Sequence, residues 1–238
     1  MMVRGQIMKK VGIIGGIGPE ATITYYQSII KDFQKRLGTH AQLPELVINS
    51  INMYKMFDML EKKNFGEVVD YLSDAVEALE HAGADFVVMC GNTPHIVFNE
   101  IQENVNIPMM SMVETSYQRA AELGLKNLGL LGTKFTMEND FFKKPFIKND
   151  LSIQVPNKDQ LDYVHHKIVT ELENGIVKEA TRQQLITIVN EMIRTRHIDG
   201  VILGCTELPL ILSDEDFNVP VLDIAQIHIQ KIVDHILN

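Results

Sequence analysis

The chain has two cysteines, and each closes an apolar run that gives way to a loop of small polar residues: Asp85 through Cys90, Gly91, Asn92 and Thr93 to Pro94, and Asp199 through Gly204, Cys205, Thr206 and Glu207 to Pro209. A continuous apolar run of this length reads as a buried parallel strand, and ligands of open α/β sheets collect at the carboxyl ends of such strands. Thiols placed there suit proton transfer or nucleophilic attack. The ordinary thiol pKa is about 8.5 and falls toward neutrality beside a helix N-terminus, which is the expectation for Cys205. The two thiols are not equivalent. Aligning Asp85 with Asp199 matches Cys205 to Gly91 and Cys90 to Gly204. A one-residue shift along a strand turns a side chain to the other face unless a bulge intervenes. Cys205 is therefore the sharper catalytic candidate, and Cys90 joins it only if a bulge turns it inward.

Polar groups gather around the same strand ends. The segment Gly15, Gly16, Ile17, Gly18, Pro19 fits a loose dinucleotide pattern, but the next strand ends in Ser50 and Asn52, without the acidic residue that holds a ribose. What remains is a nest of backbone N–H groups from Gly16, Ile17 and Gly18 at a helix start, suited to a carboxylate. Asn92-Thr93 and Thr206-Glu207 read as helix openings whose hydroxyl, amide and main-chain donors surround a small anion, Glu207 itself either tuning the thiol or serving as a helix-start acid, and Thr133 with Thr136 offers a matching hydroxyl set. His95 contacts the ligand, or helps to set a thiol's charge, or is simply a partly exposed helix histidine. His165 and His166 lack a second pair at metal-ligand spacing.

These residues need a frame that repeats. Strands are expected near 10–15, 46–52, 85–90, 107–111, 127–132, 151–155, 200–205 and 220–223, and helices near 20–37, 65–82, 94–103, 114–123, 137–147, 159–173, 177–196 and 224–237. Alternation of this kind implies parallel βαβ units. The helical stripe Val68, Val69, Leu72, Ala75, Val76 and Leu79 reads as core. Lys10 to Gly16 resembles Asn127 to Thr133, and Asn106-Ile107-Pro108 resembles Asn218-Val219-Pro220. The offset is about half the chain, which indicates a duplicated lobe. The expected architecture is two pseudosymmetric Rossmann-like α/β lobes, 8–112 with 220–238 and 113–219, each a short parallel sheet flanked by helices, with the active site in the cleft between them.

Composition narrows the partners. With 45% hydrophobic and 22% charged residues the chain can bury a substantial core, and a net charge of −9 disfavours nucleic acid and anionic membranes. No apolar run is long enough to span a bilayer, and Met1 to Lys10 lacks a secretory signal, so a cytoplasmic location with reduced thiols is expected. Met1 to Gln6 is read as disordered, an upstream start or a cloning remnant.

Taken together, the Gly15-Gly16-x-Gly18-Pro19 loop, Asn92-Thr93-x-His95, Leu131 to Glu138, Gly204-Cys205-Thr206-Glu207 and the closing strand to Asp223 resemble the cofactor-independent aspartate/glutamate racemase superfamily, in its aspartate racemase branch. The resemblance runs from about Lys9 to Leu237. It implies a homodimer that holds a small amino acid between its lobes and inverts the α-carbon with opposed thiols, using neither metal nor pyridoxal phosphate. A carbanion of that kind needs its carboxylate surrounded by donors, and inversion needs acid and base on opposite faces.

The chain departs from that pattern at three places. Gly91 stands where the family's first catalytic cysteine directly precedes Asn-Thr, as it does in arylmalonate decarboxylase, a one-thiol relative. The regions matching the arginine and lysine that grip an aspartate side chain read Ser50-Ile51-Asn52 and Asp159 to Tyr163. An unpaired buried carboxylate is costly, so a neutral side chain is expected, or a cationic one if Asp162 points inward. The expected function is a pyridoxal-phosphate-independent amino-acid racemase or epimerase. A single-thiol decarboxylase or isomerase acting through a carbanion is the alternative, and a catalytically degenerate carboxylate-binding protein the second.

Overall fold

A computed structural model describes residues 8–238, and the expectation for Met1 to Gln6 lies outside the described residues. The chain divides into two compact units. One runs through Met112 and takes in His228–Asn238, and the other is Val113–Ile227.

The first unit contains β1 (Val11–Gly15), α1 (Pro19–Leu37), β2 (Leu46–Ser50), α2 (Met53–Glu61), α3 (Phe65–His81), β3 (Phe86–Met89), a 3-10 turn (Thr93–Val97), α4 (Phe98–Asn104) and β4 (Met109–Met110). Its sheet is parallel in the order β2-β1-β3-β4. β1 and β3 are buried throughout, as their unbroken apolar runs require. The α3 stripe is core as expected: Val68, Leu72 and Val76 are fully buried, each contributing on the order of 1.5–3 kcal/mol. α3 approaches the sheet at Gly12, where a Cβ would lie 3.0 Å from those of Leu79 and Ala84.

The second unit is built from α5 (Met112–Glu122), β5 (Asn127–Leu131), α6 (Lys134–Glu138), α7 (Lys143–Ile147), β6 (Ser152–Gln154), α8 (Lys158–Thr170), α9 (Glu179–Arg196), β7 (Gly200–Leu203) and β8 (Val221–Asp223). α10 (Ile224–Leu237) begins here and passes into the first unit at His228. The sheet order β6-β5-β7-β8 repeats that of the first unit, again parallel.

The repeated residues perform repeated tasks. Asp85 accepts the Lys10 N–H at 2.6 Å, and Asp199 accepts the N–H groups of Lys126 and Asn127 at 2.7 and 3.0 Å, so each carboxylate ties the start of its unit's first strand. Val87 N–H donates to Pro108 O and Val201 N–H to Pro220 O, both at 2.9 Å, which accounts for the two Asn-x-Pro segments.

Three expectations need correction. The sequence pattern returns the strand at 220–223 to the first lobe, but β8 pairs with β7 in the register Val201↔Val221, and the chain crosses back only within α10. The sheet edge beside β7 captures this strand before the helix can leave. A helix is also present at α2, where Asn52 Oδ1 accepts the N–H groups of Tyr54 and Lys55. The single helix expected at 137–147 is two, broken at Asn139, whose backbone is extended.

Candidate active site

In the second unit, Cys205 follows β7 directly. Its Sγ donates to Glu207 Oε2 at 2.9 Å, and Thr206 Oγ1 donates to the same oxygen at 2.9 Å. The expected helix N-terminus is not there. Residues 208–210 form only a 3-10 turn, and neither Thr206 nor Glu207 caps a regular helix. With no macrodipole and a carboxylate in contact, the expected fall in the thiol's pKa is reversed. Burial pushes Cys205 well up, and the charge of Glu207 and its hydrogen bond add to the effect. Glu173, in the turn after α8, is itself raised by desolvation and by Glu207, and its charge also acts on the thiol.

The other residues expected in this half are close by. Thr133 caps α6 by accepting the Thr136 N–H, and the two hydroxyls are 3.4 Å apart. Buried Thr136 fits against the strand ends, since a Cβ on Gly204 would lie 3.4 Å from its methyl. Asp162, in α8, is paired with a lysine. Its Oδ1 accepts from Lys134 Nζ at 2.8 Å, and that bond holds the carboxyl below its usual range. Asp223, at the end of β8, accepts from Ala225 and Gln226 and is raised by burial.

In the first unit, Gly16, Ile17 and Gly18 leave β1, Ser50 ends β2, and Gly91, Asn92 and Thr93 leave β3. All lie at the carboxyl edge of one sheet. Gly16 and Gly18 have φ of 75° and 70°, and a Cβ on Gly16 would lie 2.3 Å from Ile51 O and 2.8 Å from Ser50 Oγ. This close approach requires glycine. Much of the expected nest is engaged internally. Gly16 N–H donates to Thr22 Oγ1 at 2.9 Å, and Ile17 N–H is directed at Cys90 sulfur.

Cys90 is packed inside its own unit. It is 0% exposed, with Sγ 3.3 Å from Thr22 Oγ1. The same hydroxyl donates to Gly18 O and accepts from Gly16 N–H, and burial pushes the Cys90 pKa up despite the opposing effect of the Thr22 contact. The ladder accounts for the inequivalence of the two thiols. Cys90 N–H bonds Ile14 O as Gly204 N–H bonds Leu131 O, so Gly91 is the counterpart of Cys205. No bulge turns Cys90 inward.

His95 is likewise bound into the framework of its unit. Met112 N–H donates to its Nε2 at 3.1 Å, so Nδ1 carries the proton and donates to Gly91 O at 3.0 Å. Both nitrogens are engaged, the ring stacks on Phe98, and burial lowers its pKa to about 4. Asn92 is buried, and its carbonyl accepts the His95 N–H at 3.0 Å, while half-buried Thr93 opens the turn without an Asn92 side-chain cap.

The sequence pattern did not single out Thr22, Lys134, Glu173 or His228. Thr22 carried a signal, a hydroxyl one turn after the last glycine of the loop. Among the described residues, no cluster of three or more His, Cys, Asp or Glu side chains is placed to hold a metal ion, and no helix is long and apolar enough to cross a membrane.

Residues 14–232 match the family model described as Asp/Glu/hydantoin racemase. The broad specificity amino-acid racemase RacX of Bacillus subtilis is 25% identical over 215 residues, 90% of this chain and 92% of its own length. The crystal structure of an aspartate racemase homologue from Pyrococcus horikoshii superposes with a TM-score of 0.88 at 35% identity, covering 97% of this chain and all of its own. Glutamate racemase isoform RacE1 from Bacillus anthracis shares the fold, with a TM-score of 0.67 at 20% identity over 98% of this chain and 85% of its own.

Proposed function

The chain belongs to the Asp/Glu/hydantoin racemase family, and from that premise we propose that it is a pyridoxal-phosphate-independent amino-acid racemase or epimerase in which Cys205 moves the α-proton. The observation that carries this reading is the 2.9 Å Cys205–Glu207 contact at the end of β7. Burial and the neighbouring carboxylate keep Cys205 a thiol at rest. During reaction the S–H proton passes to Glu207, and the thiolate takes the proton from Cα. The C–H electron pair stays on the substrate and spreads into its carboxylate, and the carbanion forms its new C–H bond with a proton returned by Cys205, which retains configuration, or with one from solvent water on the opposite face, which inverts it. A thiol with a raised pKa gives a more basic thiolate, which suits so weak a carbon acid. Glu207 acts on the thiol, and Thr206 holds the shared oxygen in place.

A small amino acid with a neutral side chain is the proposed substrate. Lys134 and Asp162 already neutralise each other, so that pair leaves neither a free cation for a second carboxylate nor a free carboxylate for a cationic side chain. A cytoplasmic homodimer belongs to the same reading, supported by family membership alone. The buried Cys90 favours one specific second reading, a single-thiol enzyme that protonates one face of a carbanion, such as a decarboxylase or isomerase.

The test is α-proton exchange in deuterium oxide with pools of L- and D-amino acids. Inverted, deuterated product supports the racemase, and exchange with retained configuration supports the one-thiol reading. Full exchange by Cys205→Ser removes the assignment of the thiol.

A further inference from the structure

The internal repeat gives Gly91 the position of Cys205, yet nothing in the Gly91 backbone demands glycine, since it is absent from the positive-φ residues. Space does demand it. A Cβ on Gly91 would lie 2.5 Å from Ile17 Cγ2 and 3.0 Å from Ile17 Cβ, a branched side chain that is 7% exposed and packed into the core, with no flexible end to swing away. Ile17 O would be 3.1 Å from the same Cβ. The Gly91 peptide is itself held, its carbonyl accepting from His95 Nδ1.

The second unit is built differently here. Ile14 corresponds to Leu131 in the ladder, but the chain enters its helix at Pro19 in the first unit and already at Lys134 in the second, so the shorter loop of the second unit has no counterpart of Ile17. Residue 205 there carries a full thiol side chain. A branched hydrocarbon thus packs against glycine in the first unit, where the second has a shorter loop and a cysteine.

We infer that Ile17 is a specificity-determining residue of the proposed reaction, because its side chain occupies the volume that a proton-carrying side chain at position 91 would need and so confines thiol chemistry to Cys205. The functional part rests on the racemase reading, whereas the steric part does not.

The test is a double-mutant cycle of wild type, Ile17→Ala, Gly91→Cys and the double variant, with Gly91→Ala in both backgrounds should Gly91→Cys fail to fold. Thermal melting is read alongside native-state labelling by Ellman's reagent, with peptide mapping to identify the labelled cysteine. The expected result is that a side chain at 91 lowers Tm in the Ile17 background and that Ile17→Ala recovers part of that loss. The double variant then labels at the thiol introduced at position 91, which does not label when Ile17 is intact. Additive Tm changes, or a Gly91→Cys protein with wild-type Tm and a fully reactive new thiol, overturn the steric claim. Where wild type exchanges α-protons, the double variant changes the ratio of inverted to retained product, and an unchanged ratio overturns the specificity role. A chain with no exchange in any form removes the racemase reading while the melting cycle still decides the packing claim.

Discussion

Lowering the pH from 8 to 5 should destabilise the first unit through two buried histidines. His95 is fixed between Gly91 O and Met112 N–H. His228 is fully buried, accepting at Nδ1 from Tyr25 OH at 3.0 Å and donating from Nε2 to Met110 O at 3.2 Å. Together they hold residues 110 and 112. Burial lowers the two pKa values to about 4 and about 3, with the neighbouring His95 adding to the second. The ordinary value is about 6.5. Above that value both states hold the rings neutral and stability is complete. Below it the unfolded chain binds protons that the native chain refuses, so stability falls as pH drops toward 4. By linkage each ring costs about 2 kcal/mol at pH 5, about 4 kcal/mol together. That is a large fraction of a total that is typically about 5–15 kcal/mol. Urea unfolding at pH 8, 6 and 5 measures the loss, and His228→Gln should roughly halve its slope between pH 6.5 and 5. Stability that is flat over this range, or an unchanged slope in the variant, refutes the assignment of two neutral buried rings.

Four further outcomes follow from the same structure. Glu207→Gln removes the charge that helps to raise Cys205, so iodoacetamide alkylation of that thiol should shift to lower pH, while α-proton exchange falls by roughly 10²–10⁴-fold with the proton acceptor gone. Thr22→Val takes away the hydroxyl that contacts the Cys90 thiol and accepts from Gly16 N–H, and denaturant titration should show a loss of about 1–3 kcal/mol. Gly12→Ala forces a Cβ against Leu79 and Ala84 and should cost about 1–3 kcal/mol in the same assay. Lys134→Ala should raise the Asp162 pKa in an NMR titration, yet move Tm by less than about 2 °C because the pair is solvent-exposed.

The duplicated architecture was legible because each copy carries residues with a local task. Asp85 and Asp199 bind the N–H groups that open a first strand, and Pro108 and Pro220 accept the same ladder bond. The inequivalence of the two cysteines was legible for the same reason, since strand register is a period-two property. α2 also carried its own signal, an Asn52 cap before Met53, Met56, Phe57 and Leu60 at helical spacing, in a short helix that follows its strand directly. The direction of the Cys205 pKa was not legible. It depends on Glu207 folding back over the thiol and on the chain after β7 forming only a 3-10 turn. His95 shows the same limit, because its second nitrogen is bound by Met112, seventeen residues away. Asp162 is another case, since its Lys134 lies on a different helix. Contacts that sequence spacing does not encode decided each of these roles.

The central claim is that Cys205, relieved of its proton by Glu207, removes the α-proton of an amino acid. Wild type, Cys205→Ser and Glu207→Gln should be compared in deuterium oxide with a panel of small neutral amino acids, following loss of the α-proton signal by NMR and chirality by chiral chromatography. The account predicts exchange in wild type, none above background in Cys205→Ser, and a strongly reduced rate in Glu207→Gln. Exchange that persists at the wild-type rate in Cys205→Ser contradicts it, and a wild-type protein that binds these amino acids without exchanging them points to a degenerate carboxylate-binding protein.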